Sequence, residues 1–443
     1  MKTCLIVSPY FPPSTLAGVH RARHLAKHLP AAGWTPIILC VDERYHEQRL
    51  DPGLASLVPP SVEVVKVPAL SARSCRTIGI GEISLRAWGP LRRAAMHLLE
   101  TRSIGAVLIT GSPFYPMLLS SEIKRRFSVP VILDFQDPWV SNWGADQPRW
   151  SKAGVAYRLA KILEPQSLRA SDFVTSVSET QNAEMIARYP WLNAKKMAAI
   201  PIGGDPADYD ALRFHSVSDD SPVKWEPAQR TLAFVGTFMP RSAPVVEQVL
   251  KAFVMARSQY PAVMANVRLL FVGTSNQPNH TTTFRVLPLA RAIGVDSGVE
   301  EIPQRVPFLD AISVLARSEG ILLIGSNEPH YTASKIYPGL MSGRPFLSVF
   351  HRASSAHTVL AQVGGGIAMA FDRQDELRAL PAKIAEALVK LVINPENLGR
   401  ADPSAYEGFT AQAVAKRYAE IFDGITSSGS VENAATTSML NPS

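Results

Sequence analysis

The chain has 443 residues, 46% of them hydrophobic, enough to bury sizeable cores in two or three domains. No apolar run approaches the ~20 residues that span a bilayer, and the start MKTCLIVSPYFPPS has a short apolar run that meets prolines where a signal peptide needs a long one. A net charge of +7 suits an anionic partner, but no arginine-rich tail or nucleic-acid motif accompanies it, so no nucleic acid is expected.

Cys4, Cys40 and Cys75 are the only cysteines, an odd and sparse set that excludes a disulfide framework and a zinc site. They point to a reducing, cytoplasmic setting, with Cys4 and Cys40 as small core residues of strands.

In chain order, strands are expected at Cys4–Ser8, Pro36–Val41, Val62–Val67, Ala106–Thr110, Pro130–Asp134, Phe173–Ser176 and Met197–Pro201. Helical periodicity lies between them, at Val19–Leu29, Leu85–Glu100, Tyr115–Phe127 and Lys152–Ala170. Residues 206–230 are polar, rich in Asp, Ser and Pro, and read as a linker. The alternation restarts with strands at Thr231–Val235, Val267–Val272, Gly298–Ile302, Gly320–Ile324, Pro345–Val349 and Gly366–Ala370. One helix is expected over Asp375–Val392, with Asp375 as N-cap, and another over Tyr406–Phe422 that packs back on the first half. Residues 426–443 read as a disordered tail. The fold class is therefore α/β: two Rossmann-like, doubly wound parallel-sheet domains, residues 1–205 and 231–405, facing across a cleft.

Ligands of open α/β sheets bind beyond the carboxyl ends of the strands. After the first strand, a Pro-rich loop leads to Gly18, which lets a ligand approach the backbone at a helix start. After the fifth come Asp134 and Asp137, two carboxylates three residues apart that can orient a hydroxyl or act as a base, and Trp139, which can stack on a sugar or pack. In the second half, Gly236 makes a tight turn and Arg241 can reach a phosphate bidentately. After Gly320–Ile324, a polar loop leads into a helix whose first turn carries Ser334 and Lys335, an arrangement that attracts phosphate.

These pieces stand in a telling order. YFPP and AGVHR near the start, DFQDPW from Asp134, SVSETQN from Ser176 and IPIGGD at 200–205 are followed by FVGTFMPR at 234–241, LLFVGT at 269–274 and SKIYPGLMSGRP at 334–345. Over about residues 1–420 the chain resembles the retaining GT-B glycosyltransferases, specifically glycosyltransferase family 4 and its bacterial relatives. The resemblance implies sugar transfer from a nucleoside diphosphate sugar to a glycan or lipid-linked acceptor, in polysaccharide or glycolipid assembly. It places Gly18 under the donor and Arg241 and Lys335 on the diphosphate, where they offset leaving-group charge with no metal and no cofactor. It implies reaction on the leaving-group face without a protein nucleophile, with Asp137, Asp134 and Trp139 on the acceptor side.

One position departs from the family. Relatives commonly carry a ribose-binding glutamate three residues after the lysine, where this chain has Pro338, and another eight residues earlier, where it has His330. Glu328 is a substitute by proximity; His330 is either a pH-sensitive contact to phosphate or sugar or an idle loop residue. A catalytically inactive GT-B scaffold and a sugar-nucleotide epimerase therefore stay open as alternatives.

The basic, apolar segment Arg73–Arg102 admits peripheral contact with an anionic membrane at its inner face, although a helix with its apolar side in the core is the preferred reading.

Overall fold

The structure is a computed structural model. It describes the chain apart from Ile78 and residues 216–220, 276–281, 329–334 and 440–443, and it describes only the backbone of 428–439. The chain divides into two compact units, Met1–Ile202 with Ala411–Ser443, and Gly203–Thr410.

The first unit carries seven strands, β1 (Lys2–Val7), β2 (Trp34–Val41), β3 (Glu63–Val67), β4 (Ala106–Gly111), β5 (Val131–Phe135), β6 (Phe173–Ser176) and β7 (Met197–Ala199). They form one parallel sheet in the order β3-β2-β1-β4-β5-β6-β7. Successive side chains of β1 alternate between two cores. Leu5 and Val7 pack with the helix Trp88–Thr101, while Cys4 and Ile6 pack with Val19–His28 and the C-terminal helix. Burial on both faces explains the nearly continuous apolar run.

The second unit carries β8 (Arg230–Val235), β9 (Val267–Val272), β10 (Val299–Ile302), β11 (Gly320–Ile324), β12 (Phe346–His351) and β13 (Gly366–Phe371). Its sheet has the order β10-β9-β8-β11-β12-β13, with Leu232, Phe234, Leu269 and Phe271 on one face against the helices Ala243–Gln259 and Pro381–Ile393. In both sheets the strand order reverses beside the first strand, at β1/β4 and at β8/β11. The loops after those strands therefore splay apart and leave room for a ligand.

Several boundaries differ from the sequence reading. Residues 206–230 are not a free linker: they belong to the second unit, with a helical turn at Ala207–Asp210 and Val223 in its core. The expected Asp375–Val392 helix is two, Gln374–Arg378 and Pro381–Ile393, because Pro381 lacks an N–H and starts a helix better than it continues one. Asp375 lies in the first turn, one residue past the start.

The last helix begins at Ala411, after a short turn at Pro403–Tyr406, and runs to Met439. It thus continues through 426–439, where a disordered tail is expected, since adding turns to a helix already nucleated by packing costs little.

In Arg73–Arg102 the apolar side chains Ile83, Leu91, Met96 and Leu98 are buried, and so is Arg86, which donates to the Leu70 and Tyr45 carbonyls. Ile80 is exposed and Leu85 and Trp88 are half-buried, so among the described residues most of the segment's large apolar side chains lie wholly or partly in the core, as the preferred reading expects. All three cysteines are buried and free.

Candidate functional site

In the second unit, the loops after β8 and β11 meet. Gly236 N–H donates to the Val272 carbonyl at 2.9 Å, and its φ of +139° is a conformation that other residues adopt only with strain. A Cβ at Gly236 would lie 2.9 Å from the Cδ of Lys335. The missing side chain is what gives the lysine stem its place. The Lys335 ammonium sits 4.0 Å from the centre of the Phe234 ring. Its surroundings remove water without supplying a carboxylate, so desolvation lowers its pKa to about 7. With no ion-pair partner among the described residues, this half-buried cation is poised for an anion brought from outside.

Arg241 and Glu328 form an ion pair, and the Asn327 N–H donates to the Arg241 carbonyl at 3.2 Å. The backbone contact ties the β11 loop to the β8 loop. The Arg241 side chain is 68% exposed, so the guanidinium can exchange its partner for another anion at little cost. Lys335 is the N-cap of a helix of six residues, Ile336–Met341. At the third position after the lysine, Pro338 offers only its carbonyl, which accepts from the Tyr209 hydroxyl at 2.5 Å. Ser334 and His330 lie outside the described residues.

Sequence reasoning missed Glu301. This buried carboxylate accepts from Thr274 Oγ1 at 2.5 Å and from the backbone N–H groups of Arg285, Val286 and Leu287 at 2.7–2.9 Å. It holds the segment after β9 in place. The only signal was a glutamate among the inward positions of Val299–Ile302.

In the first unit, Gly18 opens the helix Val19–His28, and a Cβ there would stand 3.3 Å from the Ser112 carbonyl and 3.5 Å from Gln136 Oε1. Gln136 is buried, and neither amide atom has a hydrogen-bond partner. Asp137, next in sequence, is open to solvent, yet the protein packed around it disfavours the charged form and raises its carboxyl pKa.

Two expected acceptor residues are corrected. Asp134 faces inward: both it and Arg21 have fully buried side chains, 3.2 Å apart. Its other oxygen accepts from Thr175 at 2.9 Å and from Tyr418 at 2.8 Å. Arg21 is further held by the carbonyls of Ile200 and Pro201. A carboxylate that is fully buried and already holds three hydrogen bonds is out of a substrate's reach. Trp139 is a packing residue, stacked on Phe114 with ring centres 5.4 Å apart and interplanar angle 8°.

Among the described residues no group of three or more His, Cys, Asp or Glu could hold a metal ion, and no helix is long and apolar enough to cross a membrane.

Solved structures of similar fold include glycosyltransferases. HepE from Anabaena, in complex with UDP-glucose, superposes with a TM-score of 0.59 at 13% identity, covering 96% of this chain and 100% of that one. A glycosyltransferase from Rickettsia africae gives 0.56 at 15%, covering 96% and 98%. A UDP-forming α,α-trehalose-phosphate synthase from Burkholderia vietnamiensis gives 0.59 at 12%, covering 97% and 100%. No curated protein matches the sequence. The fold is that of GT-B glycosyltransferases. More narrowly, residues 17–203 match the family described as a glycosyl transferase 4-like domain.

Proposed function

We propose that this glycosyltransferase moves a sugar, with retention, from a nucleoside diphosphate donor to a glycan or lipid-linked acceptor, in polysaccharide or glycolipid assembly at the inner face of the membrane. The observation that carries the reading is Lys335, a desolvated ammonium with no carboxylate beside it among the described residues, laid against Gly236 at the end of β8. In this reading the donor diphosphate supplies the missing negative charge. As the bond from the anomeric carbon to the phosphate oxygen breaks, the oxygen takes the electron pair. Lys335 and Arg241 stabilise that charge with no metal. Arg241 releases Glu328 to do so, and the freed Glu328, with His330 and Ser334, offers the remaining polar contacts to the donor. Gly18 leaves room at its helix start, and Asp137 orients the acceptor hydroxyl, whose proton passes to the leaving phosphate oxygen.

The test is a panel of sugar nucleotides screened by thermal shift, followed by transfer assays with oligosaccharide and lipid-linked acceptors and NMR of the product's anomeric configuration. A stabilising donor, a product with the donor's configuration and activity that survives EDTA are expected. Absence of any stabilising donor across the panel would sink the reading.

Pro338 favours a second reading, in which the protein binds a sugar nucleotide without transferring it, because a proline side chain cannot hold a ribose hydroxyl. Turnover of any donor removes this alternative.

A further inference from the structure

The helix Lys152–Arg169 buries one face through Gly154, Ala160, Glu164, Ser167 and Leu168. On another face Val155, Leu159 and Ile162 are 39%, 44% and 57% exposed. Positions 155, 159 and 162 fall on one stripe of a helix. Just upstream, Trp143 and Trp150 are 68% and 80% exposed. Three aliphatic side chains on one stripe, with two indoles in water just upstream of the same helix, leave apolar surface that calls for a cover.

The charges around the patch say what kind of cover. Between Ser141 and Ile162 there are four cations, Arg149, Lys152, Arg158 and Lys161, and one carboxylate, Asp146. Arg149 and Arg158 lie over the Trp150 ring at 5.4 and 4.8 Å, and Lys161 lies over Tyr157 at 5.9 Å. Among the described residues none of the four pairs with a carboxylate. A second copy of this chain, meeting the patch with the same patch, would set four positive charges against four. An anionic lipid surface supplies what both halves of the patch lack: phosphate for the cations and an acyl boundary for the aliphatic stripe.

We propose that the surface from Trp143 to Ile162 docks on an anionic bilayer. Trp143 and Trp150 sit at headgroup level, as interfacial indoles do. Val155, Leu159 and Ile162 enter the acyl boundary, and Arg149, Lys152, Arg158 and Lys161 face lipid phosphates. The proposal deepens the reading of a membrane-borne acceptor above, but its test is independent of donor chemistry.

The test is co-sedimentation of the full chain with vesicles of phosphatidylcholine alone and of phosphatidylcholine mixed with phosphatidylglycerol. Binding to the mixed vesicles only, weakened several-fold by salt and accompanied by a blue shift of tryptophan fluorescence, is expected. The double variant Leu159→Glu/Ile162→Glu should lose roughly tenfold or more of that binding. Because both positions are exposed, its thermal midpoint and its stabilisation by a sugar nucleotide should be unchanged. An Arg73→Gln/Arg76→Gln variant should bind as the parent does. The proposal is overturned if the parent ignores both vesicles, or if the double variant sediments as well as the parent. It is equally overturned if the double variant changes the molecular mass in light scattering while vesicle binding persists, since the patch would then join copies of the chain.

Discussion

Lys335 combines an ammonium group, a place against an aromatic ring and no counter-ion among the described residues, and each has a measurable consequence. Its pKa falls from 10.5 to about 7 on folding, so between those values the unfolded chain binds more protons than the native one. The lysine therefore destabilises the fold fully below pH 7 and progressively less up to pH 10.5. Lys335→Met should be more thermostable than the parent at pH 6, and the difference should shrink by pH 9; equal midpoints for parent and variant at pH 6 would contradict this. Bound diphosphate restores the charged form, so at pH 8 binding should take up close to one proton, read by calorimetry in buffers of different ionisation heat. The same variant should weaken nucleoside diphosphate binding roughly ten- to a hundredfold, the effect of losing one charge-assisted hydrogen bond. Gly236→Ala combines a positive φ with a clash against the lysine stem, so it should cost about 1–2 kcal/mol of stability and also weaken donor binding. Denaturant unfolding and calorimetry read the two effects.

At the scale of elements, the buried quartet of Arg21, Asp134, Thr175 and Tyr418 joins the helix Val19–His28, β5, β6 and the C-terminal helix. Breaking a buried ion pair leaves one uncompensated charge, so Asp134→Ala should cost about 3–5 kcal/mol. Tyr418→Phe removes one donor and should cost about 1–2 kcal/mol. Urea unfolding of the two variants measures both, and a loss for Asp134→Ala no larger than a surface substitution would refute the structural role. None of this was legible at Asp134 itself. A carboxylate at a strand end can point to solvent or to the core, and the three partners lie at positions 21, 175 and 418. The strands were legible because each is an apolar run between turn residues, and burial on both faces tolerates no other pattern. The helix break at Leu380–Pro381 was legible in principle, since proline opens helices.

For the whole molecule, the chain leaves its first unit at Ile202 and returns to it at Ala411. The returning helix buries Val414, Tyr418 and Phe422 against β1 and β2 residues, with Trp34 and Phe422 ring centres 5.1 Å apart. A chain ending at Thr410 would expose that core face and leave Asp134 without Tyr418. We expect it to lose the cooperative unfolding transition of the first unit while keeping that of residues 203–410, which differential scanning calorimetry can separate. Two full-sized transitions in the shortened chain would show that the helix is dispensable.

The sequence by itself determined the two parallel sheets, the order of the glycosyltransferase motifs and the prominence of Lys335 and Arg241, because strand and turn signals are local and survive without knowledge of neighbours. Only the tertiary structure decided which polar residues remain available. Asp134 was taken by buried partners and Trp139 by stacking on Phe114, whereas among the described residues Lys335 was left without a carboxylate and Val155, Leu159 and Ile162 without a cover. Availability is a property of contacts between distant parts of the chain, and these form only when the sheets and helices pack.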